Sequence, residues 1–308
     1  MIRAILQFLL FATVVSGITA AHSTQLKFED IAINFSLPEG WSLGEVTGIQ
    51  RRENGNFIIF HRGQHQLLEF DENFQFVREI GHGLFKNPHG LRIDKMGNVW
   101  TTDTETHVVL KFSETGKVTM VLGKNGLSGT GWFDRDYNLT LFNQPMDVAF
   151  DRKGYIYVVD KGNDRIVKLD QNGFIETSWG QKGTGRSQFN FAHSIVIDSE
   201  DRVYVADREN QRIQIFDLEG TYLKQWKNVG YPYMITLSKD SLWMTDARAE
   251  QVKQFDMKGN LIRHHRGIPG RNTGQYSAVH GIFVDKKNQV WVTQIFNWAG
   301  VNLLKFTP

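Results

Sequence analysis

One seven-residue phrase recurs along this chain. It reads Gly97-Asn98-Val99-Trp100-Thr101-Thr102-Asp103, then Gly154-Tyr155-Ile156-Tyr157-Val158-Val159-Asp160, Asp201-Arg202-Val203-Tyr204-Val205-Ala206-Asp207 and Asp240-Ser241-Leu242-Trp243-Met244-Thr245-Asp246. Two variants, ending at His61 and Gln294, complete a set of six. Each is a turn, a short run of β-branched and aromatic residues, and a polar residue, which is the pattern of a strand entered from a tight turn. A second strand follows in fixed register: Val109, Ile166, Ile213 and Val252, then Phe112, Leu169, Phe216 and Phe255, hold constant offsets from the polar residue. One more strand follows and one precedes the phrase. Four short antiparallel strands per unit, in six units of about 48 residues, predict an all-β fold, a six-bladed β-propeller. The last unit supplies only three strands. Residues 26–35 are expected to add the fourth as an N-terminal strand that closes the ring and protects the sheet edges.

Composition excludes several function classes. The chain has 308 residues and a formal charge of +2, from 35 Lys+Arg against 33 Asp+Glu, which argues against a polybasic nucleic-acid binder. It has no cysteine, so disulfides, thiolate metal sites and a cysteine nucleophile are ruled out. No nucleophile elbow and no phosphate-binding glycine loop is present. Residues 1–20 read as a signal peptide: Arg3, an apolar run, then small residues up to Ala20 and Ala21. The run is short for a membrane span. Residues 21–308 are then expected to be one propeller domain, secreted or periplasmic, with no membrane attachment after cleavage. Between the second and third units the stretch 123–143 inserts a glycine-rich loop with Trp132, Phe133 and Tyr137. Asn34-Phe35-Ser36 and Asn138-Leu139-Thr140 are glycosylation sequons.

The register carries the chemistry. The innermost strand of each blade lines the central channel, and one position on it holds Thr47, His89, Met146, His193, Tyr233 and His280 in turn. It stands a constant distance ahead of the polar residue in five units and one residue closer in the fifth. Histidine therefore occupies alternate blades, about 120° apart in a sixfold ring. Three imidazoles converging on one axis suit a metal such as zinc with an open position, and not calcium or magnesium. In the loop after the polar residue, Arg62 and Arg208 are placed to reach an anionic group, since a guanidinium matches a carboxylate. Arg165 and Arg212 occupy a different slot and read as structural. Asp103, Asp160, Asp207 and Asp246 are expected to hold turn amides.

The repeats resemble NHL repeats. More narrowly, Phe60-His61-Arg62-Gly63, Pro88-His89-Gly90-Leu91, Gln144-Pro145-Met146-Asp147-Val148-Ala149, His193-Ser194 and Val205-Ala206-Asp207-Arg208-Glu209-Asn210 resemble the peptidyl-α-hydroxyglycine α-amidating lyases. The resemblance implies that His89, His193 and His280 hold a catalytic zinc and that Arg62 and Arg208 line the active site. It implies cleavage of a C-terminal α-hydroxyglycine to a peptide amide and glyoxylate, on a peptide or small-molecule substrate with a carboxylate. The family's catalytic tyrosine has no counterpart in Asp160-Lys161-Gly162-Asn163-Asp164-Arg165, which leaves Lys161 or Tyr233 as substitutes. The acidic residue that the family links to a structural calcium is here Gly281, so calcium is not expected to carry over. The alternative is a non-catalytic NHL propeller that binds a protein or peptide partner. A calcium lactonase would need carboxylates at the inner positions, and they contain none.

Overall fold

The second strand of each repeat is buried on both sides rather than alternating, as expected when both faces of a sheet are covered. In Val203–Asp207 all five residues are buried. Val203 and Val205 pack with Ala149, Tyr157 and Ile166 on one side, while Tyr204 and Ala206 pack with Ile235, Leu242 and Met244 on the other. The same sandwiching recurs between every pair of neighbouring sheets.

A computed structural model of the chain describes residues 28–129, 142–272, 275–296 and 301–306. The signal peptide expected at 1–20, the aromatic residues Trp132, Phe133 and Tyr137, and the sequon Asn138-Leu139-Thr140 lie outside the described residues. No helix among the described residues is long and apolar enough to cross a membrane.

The architecture is an all-β propeller. Four-stranded antiparallel sheets follow one another along the chain. The first comprises Val46–Arg51, Phe57–His61, Leu67–Phe70 and Phe76–Glu79. The second comprises Pro88–Ile93, Val99–Asp103, Val108–Phe112 and Val118–Leu122. The third runs Pro145–Phe150, Ile156–Asp160, Arg165–Leu169 and Ile175–Trp179. The fourth runs Ala192–Ile197, Val203–Asp207, Arg212–Phe216 and Tyr222–Lys227. The fifth runs Pro232–Ser238, Ser241–Asp246, Gln251–Asp256 and Leu261–Arg266. The sixth joins Val279–Val284, Val290–Gln294 and Val301–Phe306 to Phe28–Ala32, whose Phe28 lies opposite Phe306 and Ala32 opposite Asn302. The first strand of each sheet touches its counterpart in the next, and that of the sixth touches that of the first. Val46, Ile49, Phe57 and Ile59 pack with Trp291 and Val301 across that last seam.

The turns are built by aspartate. Asp94, Asp151, Asp198 and Asp285 each accept backbone N–H bonds from residues two and four ahead, which shapes the hairpin between the first and second strands. The aspartates that end the second strands do the same work at the opposite end. Asp103 accepts the N–H groups of Lys86, Asn87, Glu105 and Thr106. Asp160 and Asp207 accept those of Asn143 and Asn190 and also pair with Arg165 and Arg212 at 2.7 Å. In the first sheet His61 takes this place, with Nδ1 accepting from Gly44 and Gly63. Burial pushes its pKa down to about 4, which keeps that nitrogen an acceptor.

Candidate metal centre

The inner strands are irregular where the chemistry sits. Their pairing register shifts between Pro88 and Leu91, between Ala192 and Ser194 and between Val279 and Ile282. His89, His193 and His280 lie within those shifts, and such bulges re-aim side chains. Their ring centroids lie 4.7, 4.8 and 5.2 Å apart, and one ligand atom of each lies within 4.8 Å of the others. All three are buried.

Each imidazole leans on the equivalent position of the next sheet. His89 Nδ1 donates to the Met146 carbonyl at 2.7 Å, and His280 Nδ1 donates to the Thr47 carbonyl at 2.9 Å. His193 Nδ1 faces the Tyr233 carbonyl, which favours its protonation without reaching hydrogen-bond geometry. A carbonyl can only accept, so in His89 and His280 the proton resides on Nδ1 and the Nε2 lone pair is presented as a ligand. Backbone carbonyls holding the far nitrogen are the usual support for metal-ligating imidazoles.

This approach depends on a missing side chain. A Cβ at residue 90 would lie 2.6 Å from the Met146 carbonyl oxygen, and one at 281 would lie 2.7 Å from that of Thr47. A side chain at 281 therefore does not fit this backbone without a shift. Gly90→Ala should destabilise the protein by about 1–3 kcal/mol through overpacking. An unchanged urea midpoint would refute the close approach.

The site holds its histidines neutral. Burial first, then Arg62, lowers the His89 pKa to about 3. Burial and then the neighbouring imidazoles push His193 down, and burial and then His89 push His280 down, each well below the ordinary value. In the unfolded chain these groups protonate near pH 6.5. The unfolded state then binds more protons, so metal-free protein should lose stability as pH falls from 6.5 towards 5. The limiting slope is roughly 4 kcal/mol per pH unit for the three together. Denaturant titrations at several pH values test this, and a flat profile over that window would contradict it.

A cavity of about 250 Å³ opens onto the imidazoles, lined by Arg62, Lys161, Phe191, Arg208 and Tyr233 among others. Arg62 donates Nε to the Pro88 carbonyl at 3.1 Å and pairs with Glu45 at 2.9 Å. Arg208 pairs with Glu209 at 2.9 Å and lies over the rings of Phe191 and Tyr233, at 3.6 and 4.7 Å from their centroids. The structure thus brings both predicted arginines to the cavity of the three histidines, each already steadied by a carboxylate. Lys161 Nζ donates to Gln144 Oε1 at 2.6 Å and sits 4.4 Å from the Phe191 ring centroid. Burial, then Arg208, lowers its pKa. Asn87, Gln144 and Phe191 also line the cavity; all three stand two residues ahead of a channel position, a slot with no constant residue type to mark it.

Fold and repeats together define an NHL propeller. The NHL-repeat model matches residues 85–112 and 189–216, the regions that carry His89 and His193. The chain resembles the peptidyl-α-hydroxyglycine α-amidating lyases. It is 33% identical over 153 residues to a probable lyase of this type from Caenorhabditis elegans, covering 42% of this chain and 42% of that one. It is 34% identical over 145 residues to peptidyl-glycine α-amidating monooxygenase B of Xenopus laevis, covering 38% of this chain and 16% of the relative. The matched region therefore spans less than half of either relative. Among solved structures, virginiamycin B lyase from Staphylococcus aureus superposes with a TM-score of 0.66 at 14% identity, over 91% of this chain and all of that one. At that identity the likeness shows the fold alone.

Proposed function

We propose that this protein is a zinc-dependent lyase that cleaves a C-terminal α-hydroxyglycine to a peptide amide and glyoxylate. The observation that carries the reading is the convergence of three neutral imidazoles, two of them with Nδ1 on a backbone carbonyl, on a cation-lined cavity. The six four-stranded sheets are read as six blades, with Phe28–Ala32 sealing the ring. The signal sequence is read as sending the protein out of the cytoplasm. No use of nucleic acid or membrane is proposed.

His89, His193 and His280 would hold the zinc. All-imidazole donors with an open position suit it, and it would supply Lewis-acid polarisation of a substrate oxygen. Arg62 and Arg208 are assigned to the substrate carboxylate, for which their steadied guanidinium groups are preorganised. Lys161 is assigned as the proton acceptor. It stands in the third-sheet loop and lines the cavity, and burial lowers its pKa, the direction that favours the free amine. The amine takes the hydroxyl proton, the oxygen lone pair forms the aldehyde C=O, and the C–N pair returns to the amide nitrogen. Lys161 then returns the proton to that nitrogen. Tyr233, with its ring 5.0 Å from that of His193, bounds the far side of the cavity.

The test is turnover of an α-hydroxyglycine peptide beside metal analysis, before and after chelation. Bound zinc without turnover would keep the site and discard the reaction. Turnover indifferent to chelation would discard the mechanism. Lys161→Met should lower kcat by about 100-fold or more with a smaller effect on KM, as for loss of a general base. The absence of a tyrosine in that loop favours one other reading, a propeller that binds a peptide without cleaving it. In that case substrate would bind and remain intact.

A further inference from the structure

A second group of metal-ligating side chains lies on the first sheet, away from the channel. His65 belongs to the loop between the second and third strands, Glu79 ends the fourth strand, and His82 follows in an exposed turn. Both of these loops leave the same end of the sheet, the end that carries Arg62. One ligand atom from each of the three lies within 4.8 Å of the others. The Glu79 carboxylate bridges the imidazoles: Oε2 lies 3.1 Å from His65 Nδ1 and Oε1 lies 2.9 Å from His82 Nδ1.

Two features make this more than a surface ion pair. His65 is held in place, because Trp41 stacks flat on its ring with centroids 3.4 Å apart and planes 4° from parallel. Trp41 is itself braced edge-on by Phe76 at 5.3 Å. Glu79 is only 16% exposed, so one carboxylate and one imidazole form a fixed half-site. His82 is 69% exposed and sits beside the Gly81–Leu84 turn, so it is the arm that can close on a cation. Tetrahedral ligands around zinc stand roughly 3.3 Å apart, which asks only for a modest swing of that arm.

We propose that His65, Glu79 and His82 form a second divalent-metal site on the rim of the propeller, for a first-row transition ion. Two imidazoles and one carboxylate favour copper(II) or zinc over calcium or magnesium, and copper(II) binds most tightly to such a set. The site is independent of the lyase reading and shares no residue with the channel.

Copper(II) titration of untagged protein, followed by tryptophan fluorescence and equilibrium dialysis, tests it. Wild type should bind one equivalent more than His82→Ala, with a quenching step that disappears in both His82→Ala and Trp41→Phe. Glu79→Gln should weaken that step at least tenfold. The comparison is a difference, so it survives whether or not the channel binds metal. Equal stoichiometry in wild type and His82→Ala, or a quenching difference between wild type and His82→Ala that is undiminished on the Trp41→Phe background, would overturn the proposal. His82 is exposed, so loss of folding does not obscure its variant, and circular dichroism checks this.

Discussion

Replacing His193 by Ala should abolish zinc binding in the channel and lower turnover of an α-hydroxyglycine peptide by more than about 100-fold, beyond what loss of a mere supporting partner costs a metal site. His193 is the best of the three ligands to test. Its Nδ1 makes no hydrogen bond, so removing the ring orphans no bonded carbonyl. The metal-free fold should therefore change little, while the stabilisation conferred by zinc disappears. In wild type that stabilisation should reach about 2.7 kcal/mol at a hundredfold excess of zinc over its Kd. A thermal shift in zinc seen in wild type and His82→Ala, and missing in His193→Ala, would place the ion in the channel. A shift that survives loss of His193 would remove the tris-histidine centre from the mechanism.

The propeller and the meeting of the histidines were both legible because they follow from a repeated local code. Four of the six hairpins between first and second strands are closed by an aspartate of their own, so the same phrase gives the same strand in each of those units. A constant spacing then carries His89, His193 and His280 to one level of the channel. The supports of the site were not legible, because they arise between units. Proline marks the bulge at Pro88, Pro145 and Pro232, but nothing at residue 192 announces one, and the carbonyls of Met146 and Thr47 meet His89 and His280 only after neighbouring sheets pack. Phe191 beneath Arg208 and Glu45 beside Arg62 share one repeat slot, two residues ahead of the channel position, but no constant residue type marks it. The His65, Glu79 and His82 group has no repeat register at all, and depends on Trp41 from the segment ahead of the first sheet. Arg92 and Asp147 show the same limit: they are fifty-five residues apart and meet across sheets.

That last pair carries the largest expected effect on stability. Asp147 is fully buried and accepts from Arg92 through both oxygens, at 2.9 and 2.5 Å. It also accepts from Ser194 Oγ at 2.6 Å and from the N–H groups of Val148 and Ile195. Arg92 in turn reaches Ser194 Oγ and the Ile235 carbonyl, and Ile235 N–H donates to Ser194. One ion pair thus ties the inner strands of four successive sheets together. Asp147→Ala would leave a largely buried guanidinium without its counter-charge, which typically costs 3–5 kcal/mol. In a protein of this size that amounts to a fall in Tm of about 10 °C. A double substitution to apolar residues, Arg92→Met with Asp147→Leu, should recover much of the loss, because the desolvation of both charges disappears together. His89 lies three residues before Arg92, and His193 adjoins Ser194. The double variant should therefore fold yet hold channel zinc more weakly, since its inner strands lose the bonds that set their spacing. Calorimetry of the two variants decides the matter: a loss below about 1 kcal/mol in Asp147→Ala, or a double variant no better than the single, would mean that apolar packing between sheets, and not this ion pair, sets the channel.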